Sequence, residues 1–456
     1  MRKILIVLFL VICISGISKI NLEISFSPVL TINNYPDRTK FYNPNTDDLL
    51  RYSKMQPLAR AGLTIDEGNL TGVIRFEAKQ DFSAFLMGRD WCNLPISVDS
   101  YSPFFDANFP RLGFVEYDTE KITVSFGRRK LKYGPGFYDL ALSDNSPYYD
   151  HLWFDYSASF ILGTAGYRFI GISSDRSVYD APKTLLKHGI WLDFGNFRLS
   201  ISEENLIYGV YPDLQDLGPF IIYHHTYQSH SNVIAILYLD WFNDDWRFYG
   251  EAIFDDFRLS SEGNFSNPTA IGWFAGVERK ILDGEAYKKS NLNDSDYTLY
   301  DRQSKSGGLY LRYEYYRTSP YLYNRHSEIG KFVNPFRMNV MWLSSWTTIN
   351  TFYGFKYGPD AELNLFEVRY EDKNFRSNLV FELLRKGDYD ITDDYNPPFE
   401  HHWYRLVEPI KKIFKISVNI EYLLENKLLL MGNFSLMNDD EIRYYINLGL
   451  GKSFSF

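Results

Sequence analysis

The sequence predicts an all-β protein: a transmembrane antiparallel β-barrel of about eighteen strands, with small helical or plug segments on its periplasmic side. Three observations carry this reading. Segments of about ten residues alternate with period two, and their polar faces repeatedly carry charges of both signs. Aromatic residues make up 18% of the 456 positions, with 36 Tyr, 36 Phe and 9 Trp, far above ordinary soluble usage. No run of 18 or more apolar residues occurs, so helices are not what carries the chain through a bilayer.

The elements follow in chain order. Met1-Arg2-Lys3 gives a basic start, Ile4 to Ile14 is almost unbroken apolar sequence, and Gly16 and Ser18 are small. This is the pattern of a secretory signal peptide, residues 1–18, with a cut near Ser18. It leaves 19–456 as a single outer-membrane barrel domain. Of the two cysteines, Cys13 falls in the leader and Cys92 is left alone, which excludes a disulfide-stapled scaffold. A net charge of −9 argues against a nucleic-acid partner.

Strands are expected at 57–66, 69–79, 111–118, 122–131, 160–174, 187–194, 197–206, 231–241, 246–256, 269–279, 308–317, 337–345, 349–357, 361–371, 375–386, 412–424, 427–437 and 441–456. In 70–79, Leu70, Gly72, Ile74, Phe76 and Ala78 face one way, and Thr71, Val73, Arg75, Glu77 and Lys79 the other. The same alternation sets Arg247, Glu251 and Asp255 against Trp246, Phe248 and Phe254. It sets Arg312 and Glu314 against Leu311 and Tyr313, and Arg376 and Glu382 against Phe375 and Phe381. The apolar row is expected to meet outer-membrane lipid and the polar row a wet lumen, its charges pairing across strands. The final strand puts Ile442, Tyr444, Ile446, Leu448, Leu450, Phe454 and Phe456 on one face, with Lys452 as the one charge in that row. A terminal Phe closing such a strand resembles the signal read by the barrel assembly machinery. With both ends periplasmic, alternation assigns plug or cap segments, about 80–110 and 132–159, to the periplasmic side. Segment 280–307 falls there too, and 175–186, 207–230, 257–268, 318–336 and 387–411 fall outside.

The block Gly127-Arg128-Arg129-Lys130-Leu131-Lys132-Tyr133-Gly134-Pro135-Gly136, continuing to Leu140-Ala141-Leu142-Ser143-Asp144-Asn145, resembles the capsule-assembly Wzi family of outer-membrane proteins. That family has a Gly-Arg strand leading into Trp-Gly-Pro-Gly and then Leu-x-Leu-Ser-x-Asn. His188, Ile201-Ser202-Glu203-Glu204 and Phe254-Asp255-Asp256-Phe257 follow in the family's order. Tyr133 departs from the usual Trp, and Gly189 follows His188 where Arg is common. The resemblance spans roughly 57–456. It implies an eighteen-stranded barrel closed by periplasmic helices, and a lectin-like, non-enzymatic role in holding capsular polysaccharide at the surface of a diderm bacterium. On that reading Arg128, Tyr133, Gly134, Pro135, Gly136, Ser143 and Asn145 are structural or ligand-adjacent. Read from the residues alone, Gly134-Pro135-Gly136 is a rigid turn between permissive residues, and the block folds a plug more readily than it touches a ligand.

Little catalytic chemistry is visible. No nucleophile elbow, phosphate loop or dinucleotide fingerprint occurs. His224-His225 and His401-His402 point apart on an extended chain, so no metal and no cofactor is expected. Asp255-Asp256 reads as structural. Recognition of sugars needs aromatic faces and planar polar groups, and the expected outer segments supply Tyr223, His224, Tyr227, Tyr321, Tyr323, Arg325, Tyr395, Trp403 and Tyr404. The expected function is therefore an anchor for surface polysaccharide. A porin or specific sugar channel is the alternative, its cue the charged lumen face.

Overall fold

The computed structural model describes residues 20–35, 44–86, 93–95, 111–175, 178–218, 230–258, 267–287, 298–300, 307–340, 345–425 and 427–456. The expected leader, 1–18, lies outside them. The wall is a closed antiparallel barrel with eighteen strand positions. It begins with β1 (Ile20–Phe26) and its continuation β2 (Val29–Asn33). After helix α1 (Thr46–Lys54) come β3 (Ala59–Glu67) and β4 (Leu70–Ala78). After the short helix α2 (Phe82–Leu86) come β5 (Leu112–Asp118) and β6 (Ile122–Arg129). An inner strand, β7 (Leu131–Lys132), precedes wall strands β8 (Tyr149–Phe160), β9 (Gly163–Ser173), β10 (Lys183–Asp193), β11 (Phe197–Tyr208), β12 (Ser231–Phe242), β13 (Trp246–Asp256) and β14 (Ala270–Gly284). A second inner strand, β15 (Leu299–Tyr300), is followed by wall strand β16 (Gly307–Thr318). An inner hairpin, β17 (Val333–Val340) and β18 (Ser345–Phe352), precedes the last five wall strands: β19 (Ala361–Asp372), β20 (Phe375–Lys386), β21 (Lys411–Leu423), β22 (Leu428–Asn438) and β23 (Ile442–Ser455). The ring closes where β1 and β2 pair with β23, at Glu23↔Ser455 and Thr31↔Asn447.

The alternation read from the sequence sets the two faces of this wall. Arg75, Glu77, Glu251, Asp255, Glu314 and Glu382 are buried inside, while Phe76, Phe248, Phe254, Tyr313 and Leu383 are exposed outside. On β23, Ile442, Leu448, Leu450 and Phe454 face out, as does Phe456 beyond it. Lys452 lies in that row with its ammonium 5.8 Å from the Phe454 ring, a position from which a lysine snorkels at small cost.

Connections at 68–69, 119–121, 161–162, 194–196, 243–245, 373–374 and 424–427 gather at the end that holds residues 20 and 456, and most longer segments gather at the other. Short turns at one end and long loops at the other are the periplasmic and external ends of an outer-membrane-type barrel. Residues 285–287 leave β14 at the turn end, as alternation requires. Leu299-Tyr300 reaches inward to pair in parallel with Leu131-Lys132.

The strand path corrects the sequence reading at four places. Residues 20–33 form a wall strand that the reading lacked, because Pro28, with no N–H to donate, splits it in two. Residues 149–160 also form a wall strand. Its inward Tyr149, His151 and Trp153 are buried, so both of its faces read as apolar and the alternation is masked. Conversely, the described parts of 337–345 and 349–357 are not wall: among the described residues β17 and β18 pair only with each other. Two omissions and two additions cancel, which is why the count still came to eighteen. The missing first strand also inverts the side of the next connections. The described parts of 80–110, and the 132–148 part of the expected 132–159 plug, belong to the loop end and enter the lumen from there, not from the periplasmic side.

Candidate functional site

Two features occupy the loop end: a plug inside the barrel and an aromatic surface on top of it. The plug is built from the 131–146 segment and the β17–β18 hairpin. Leu131, Tyr133, Leu140 and Leu142 pack with Val333, Tyr353 and Phe355 and against wall residues Trp153, Ile170, Leu206, Ile234, Phe274 and Leu363. Complete burial of each large apolar side chain contributes about 1.5–3 kcal/mol. Beside it, α1 and α2 pack on the hairpin through Leu49, Tyr52, Phe82, Phe336, Met338 and Ile349. Helix α1 starts at a reciprocal capping box, in which Asn45 Oδ1 accepts from Asp48 N and Asp48 Oδ2 accepts from Asn45 N.

The wall holds the plug through lumen-facing carboxylates on three strands. Glu251 on β13 accepts from the backbone N–H groups of Leu140 and Ala141, at 2.8 and 3.2 Å. Glu314 on β16 accepts from Phe137 N, at 2.9 and 3.0 Å to its two oxygens, and from Tyr249 Oη at 2.6 Å. Glu382 on β20 accepts from Tyr138 Oη at 2.9 Å and Tyr357 Oη at 2.7 Å. Lumen charge thus has two destinations. Arg312 pairs with Glu278 and Arg376 with Glu421 within the wall, as expected for cross-strand filling. Glu251, Glu314 and Glu382 instead receive the plug. Alternation locates these glutamates but carries no information about a partner more than a hundred residues away.

The residues of the sequence motif sort accordingly. Tyr133 is buried in the plug, its hydroxyl 2.6 Å from Ser200 Oγ and its ring 4.0 Å from the Lys187 ammonium. Gly134 has φ +118°, and a Cβ there would sit 2.6 Å from Asp139 Oδ1. A Cβ on Gly136 would lie 2.7 Å from Phe274 Cζ, while its N–H donates to Asp139 Oδ1 at 2.7 Å. Pro135, between them, is buried too. Ser143 N donates to Tyr353 O and Asn145 Nδ2 to Gly354 O, at 2.7 and 2.5 Å, so both tie the segment to the chain leaving the hairpin. Arg128 stands apart. It lies on the outer side of β6, paired bidentately with Asp150 on β8 at 2.6 and 2.7 Å. His188 and Glu203, also singled out in the sequence, are cross-strand partners with Nε2 3.5 Å from Oε2.

Of the expected sugar-contacting residues, Tyr223, His224 and Tyr227 lie outside the described residues. Tyr321, Tyr323 and Tyr395 are buried, which removes them as contacts, because each packs against its own chain. Tyr323 donates to Leu140 O at 2.5 Å. The Tyr321 ring is 5.0 Å from Tyr389 and 5.3 Å from Phe399. Arg325 is held by Asp255 at 2.9 Å and by Asp256, which gives that acidic pair its structural role. Trp403 and Tyr404 are 45% and 52% exposed. Tyr404 stacks on His402 with ring centres 5.1 Å apart, and the Arg405 guanidinium lies 5.5 Å from its ring. This segment is fastened below by Asp360, which accepts from Tyr389 N and Val407 N. Burial raises the Asp360 carboxyl above the usual aspartate range despite those two N–H donors. Among the described residues, no group of three or more His, Cys, Asp or Glu side chains is placed to hold a metal ion.

No family model matches the chain, and no curated protein sequence matches it either. Solved structures do. The Escherichia coli protein Wzi, described as an outer membrane protein involved in group 1 capsule assembly and a carbohydrate binding β-barrel, matches with a TM-score of 0.55 at 11% identity, over 94% of this chain and 83% of its own. A BenF-like porin from Pseudomonas fluorescens Pf-5 matches with a TM-score of 0.47 at 8% identity, over 96% and 100%. OprD of Pseudomonas aeruginosa matches with a TM-score of 0.43 at 7% identity, over 96% of each chain. Wzi supports the barrel fold and nothing finer; the two porins fall too far away in shape to carry an argument. The chain has the fold of an outer-membrane β-barrel.

Proposed function

We propose that this protein sits in the outer membrane of a diderm bacterium and holds a surface polysaccharide at its loop end, without enzymatic chemistry. The observation that carries the reading is the plug. Its backbone and phenols are bonded to glutamates on three wall strands, and its apolar side is packed into the wall. A plug fastened in this way suits a surface anchor better than an open pore. The exposed His402-Trp403-Tyr404-Arg405 strip is the first contact surface to test, since flat rings and a guanidinium suit sugar C–H faces and hydroxyls. The experiment is the split of surface polysaccharide between cells and medium, with and without the protein. Polymer made in normal amount but shed in its absence supports anchoring. Unchanged retention removes it.

A sugar channel is the second reading, and one observation favours it: lumen-facing Lys415, Asn419, Asn433 and Asn447 on β21 to β23 are half-buried, not fully enclosed. Steady ion conductance of the purified protein in a planar bilayer would support it over the anchor.

A further inference from the structure

On β20 to β23 and β2 the lumen face carries a row of amides. Asn378, Asn419, Asn433 and Asn447 occupy successive register positions on β20, β21, β22 and β23, and Thr31 on β2 continues the row. Asn419 Nδ2 donates to Asn378 Oδ1 at 2.8 Å, Asn433 Nδ2 donates to Asn419 Oδ1, and Thr31 Oγ1 donates to Asn447 Oδ1 at 2.7 Å. Every member of the row is half-buried. The lumen residues that meet the plug differ: Glu314 and Glu382 are almost fully enclosed. A row serving only to stiffen the wall would be expected in a dry, fully paired setting. This one keeps solvent access, and each carboxamide has two N–H donors and two acceptor lone pairs, more than its neighbours use, even counting Glu367, which accepts from Asn378 Nδ2 at 3.4 Å.

The charges beside the row have partners of opposite sign. Arg376 pairs with Glu421 at 2.8 Å, Lys415 with Glu382 at 3.7 Å and Arg443 with Asp439 at 3.2 Å. The strip therefore offers hydrogen-bonding capacity with little net field to select an ion. Strand spacing of about 4.8 Å places successive amides at intervals suited to successive hydroxyl-bearing units of a chain. We propose that the amide row is a binding track, inside the barrel, for a neutral hydroxyl-rich oligosaccharide. It is separate from the loop-end aromatic strip and does not depend on the anchoring reading, since a barrel that fails to retain polysaccharide can still carry such a track.

The test uses the full barrel in a detergent free of sugar head groups, titrated calorimetrically with maltohexaose and, separately, with an oligogalacturonate. The expected result is saturable binding of maltohexaose, weaker binding of the charged chain, and at least a tenfold loss of maltohexaose affinity in both Asn419→Leu and Asn433→Leu. If either leucine variant fails to fold, Asn433→Ser and Asn447→Ser keep a small polar group and are expected to weaken binding by a smaller factor. The proposal is overturned if folded row variants bind like the parent, if the parent does not bind maltohexaose, or if Trp403→Ala alone abolishes binding.

Discussion

Glu382→Ala tests whether the plug is held by the wall or merely packed in it. Glu382 accepts phenol protons from two plug segments at once, Tyr138 at 2.9 Å and Tyr357 at 2.7 Å. Hydrogen bonds to an ionised acceptor are worth about 1.5–3 kcal/mol each, so losing both costs the docked plug about 3–6 kcal/mol. The Lys415 ammonium loses its carboxylate partner too, but its side chain is 20% exposed and water compensates most of that. At about 1.4 kcal/mol per factor of ten, the open fraction of the plug should rise at least on the order of 100-fold. Hydrogen exchange read by mass spectrometry on peptides covering 131–146 and 353–360 measures this directly. Glu382→Gln, which keeps an acceptor and loses the charge, should give roughly half the effect in free energy. The reasoning is refuted if both plug peptides change by less than tenfold. It is also refuted if β8 to β12 lose protection equally, since that would be unfolding of the wall and not release of the plug.

Three further outcomes follow from the geometry. Gly136→Val should destabilise the plug by about 1–3 kcal/mol through overpacking against Phe274, seen as faster exchange in 131–146 with wall protection unchanged. Trp403→Ala with Tyr404→Ala should release surface polysaccharide into the medium while shifting barrel stability by no more than about 0.5 kcal/mol, as substitutions at exposed sites do; stability is followed by heat-dependent gel mobility. Because the Asp360 carboxyl is raised in the folded protein, its contribution is fully present below the ordinary aspartate value of about 3.9 and is lost as pH rises through the folded value. Exchange protection of 387–407, corrected for intrinsic rate, should therefore fall between acid and neutral pH. In Asp360→Asn it should not.

The barrel was legible because a wall strand writes its environment into the sequence at every second residue. Arg75, Glu77, Glu251, Asp255 and Glu314 all landed inside. The plug was legible only as a motif. Period-two alternation says that one face of a strand is apolar, and says nothing about whether lipid or another part of the chain covers it. That is why the β17–β18 hairpin, with Phe336, Met338 and Ile349 against α1 and α2, reads like wall. Tyr149 and Trp153 show the converse, a wall strand whose lumen face is apolar because the plug meets it. Two of the candidate sugar contacts are buried for a related reason. Tyr321 and Tyr323 have the composition of a binding surface, but composition does not separate an aromatic packed under a loop from one displayed on it.

The seam of the wall has a kinetic meaning. β1 and β2 hydrogen-bond to β23 across more than 400 residues of sequence, while nearly every other wall pair joins strands that follow one another in the chain. Neighbouring hairpins can form early, because the loop each must close is short and the entropy lost is small. The seam cannot, and until it forms the sheet has two unpaired edges, each able to capture a strand from another molecule. Closure is thus the step at which an assembling chain is most exposed to mispairing. Shielding those two edges is what any assisting factor would have to do.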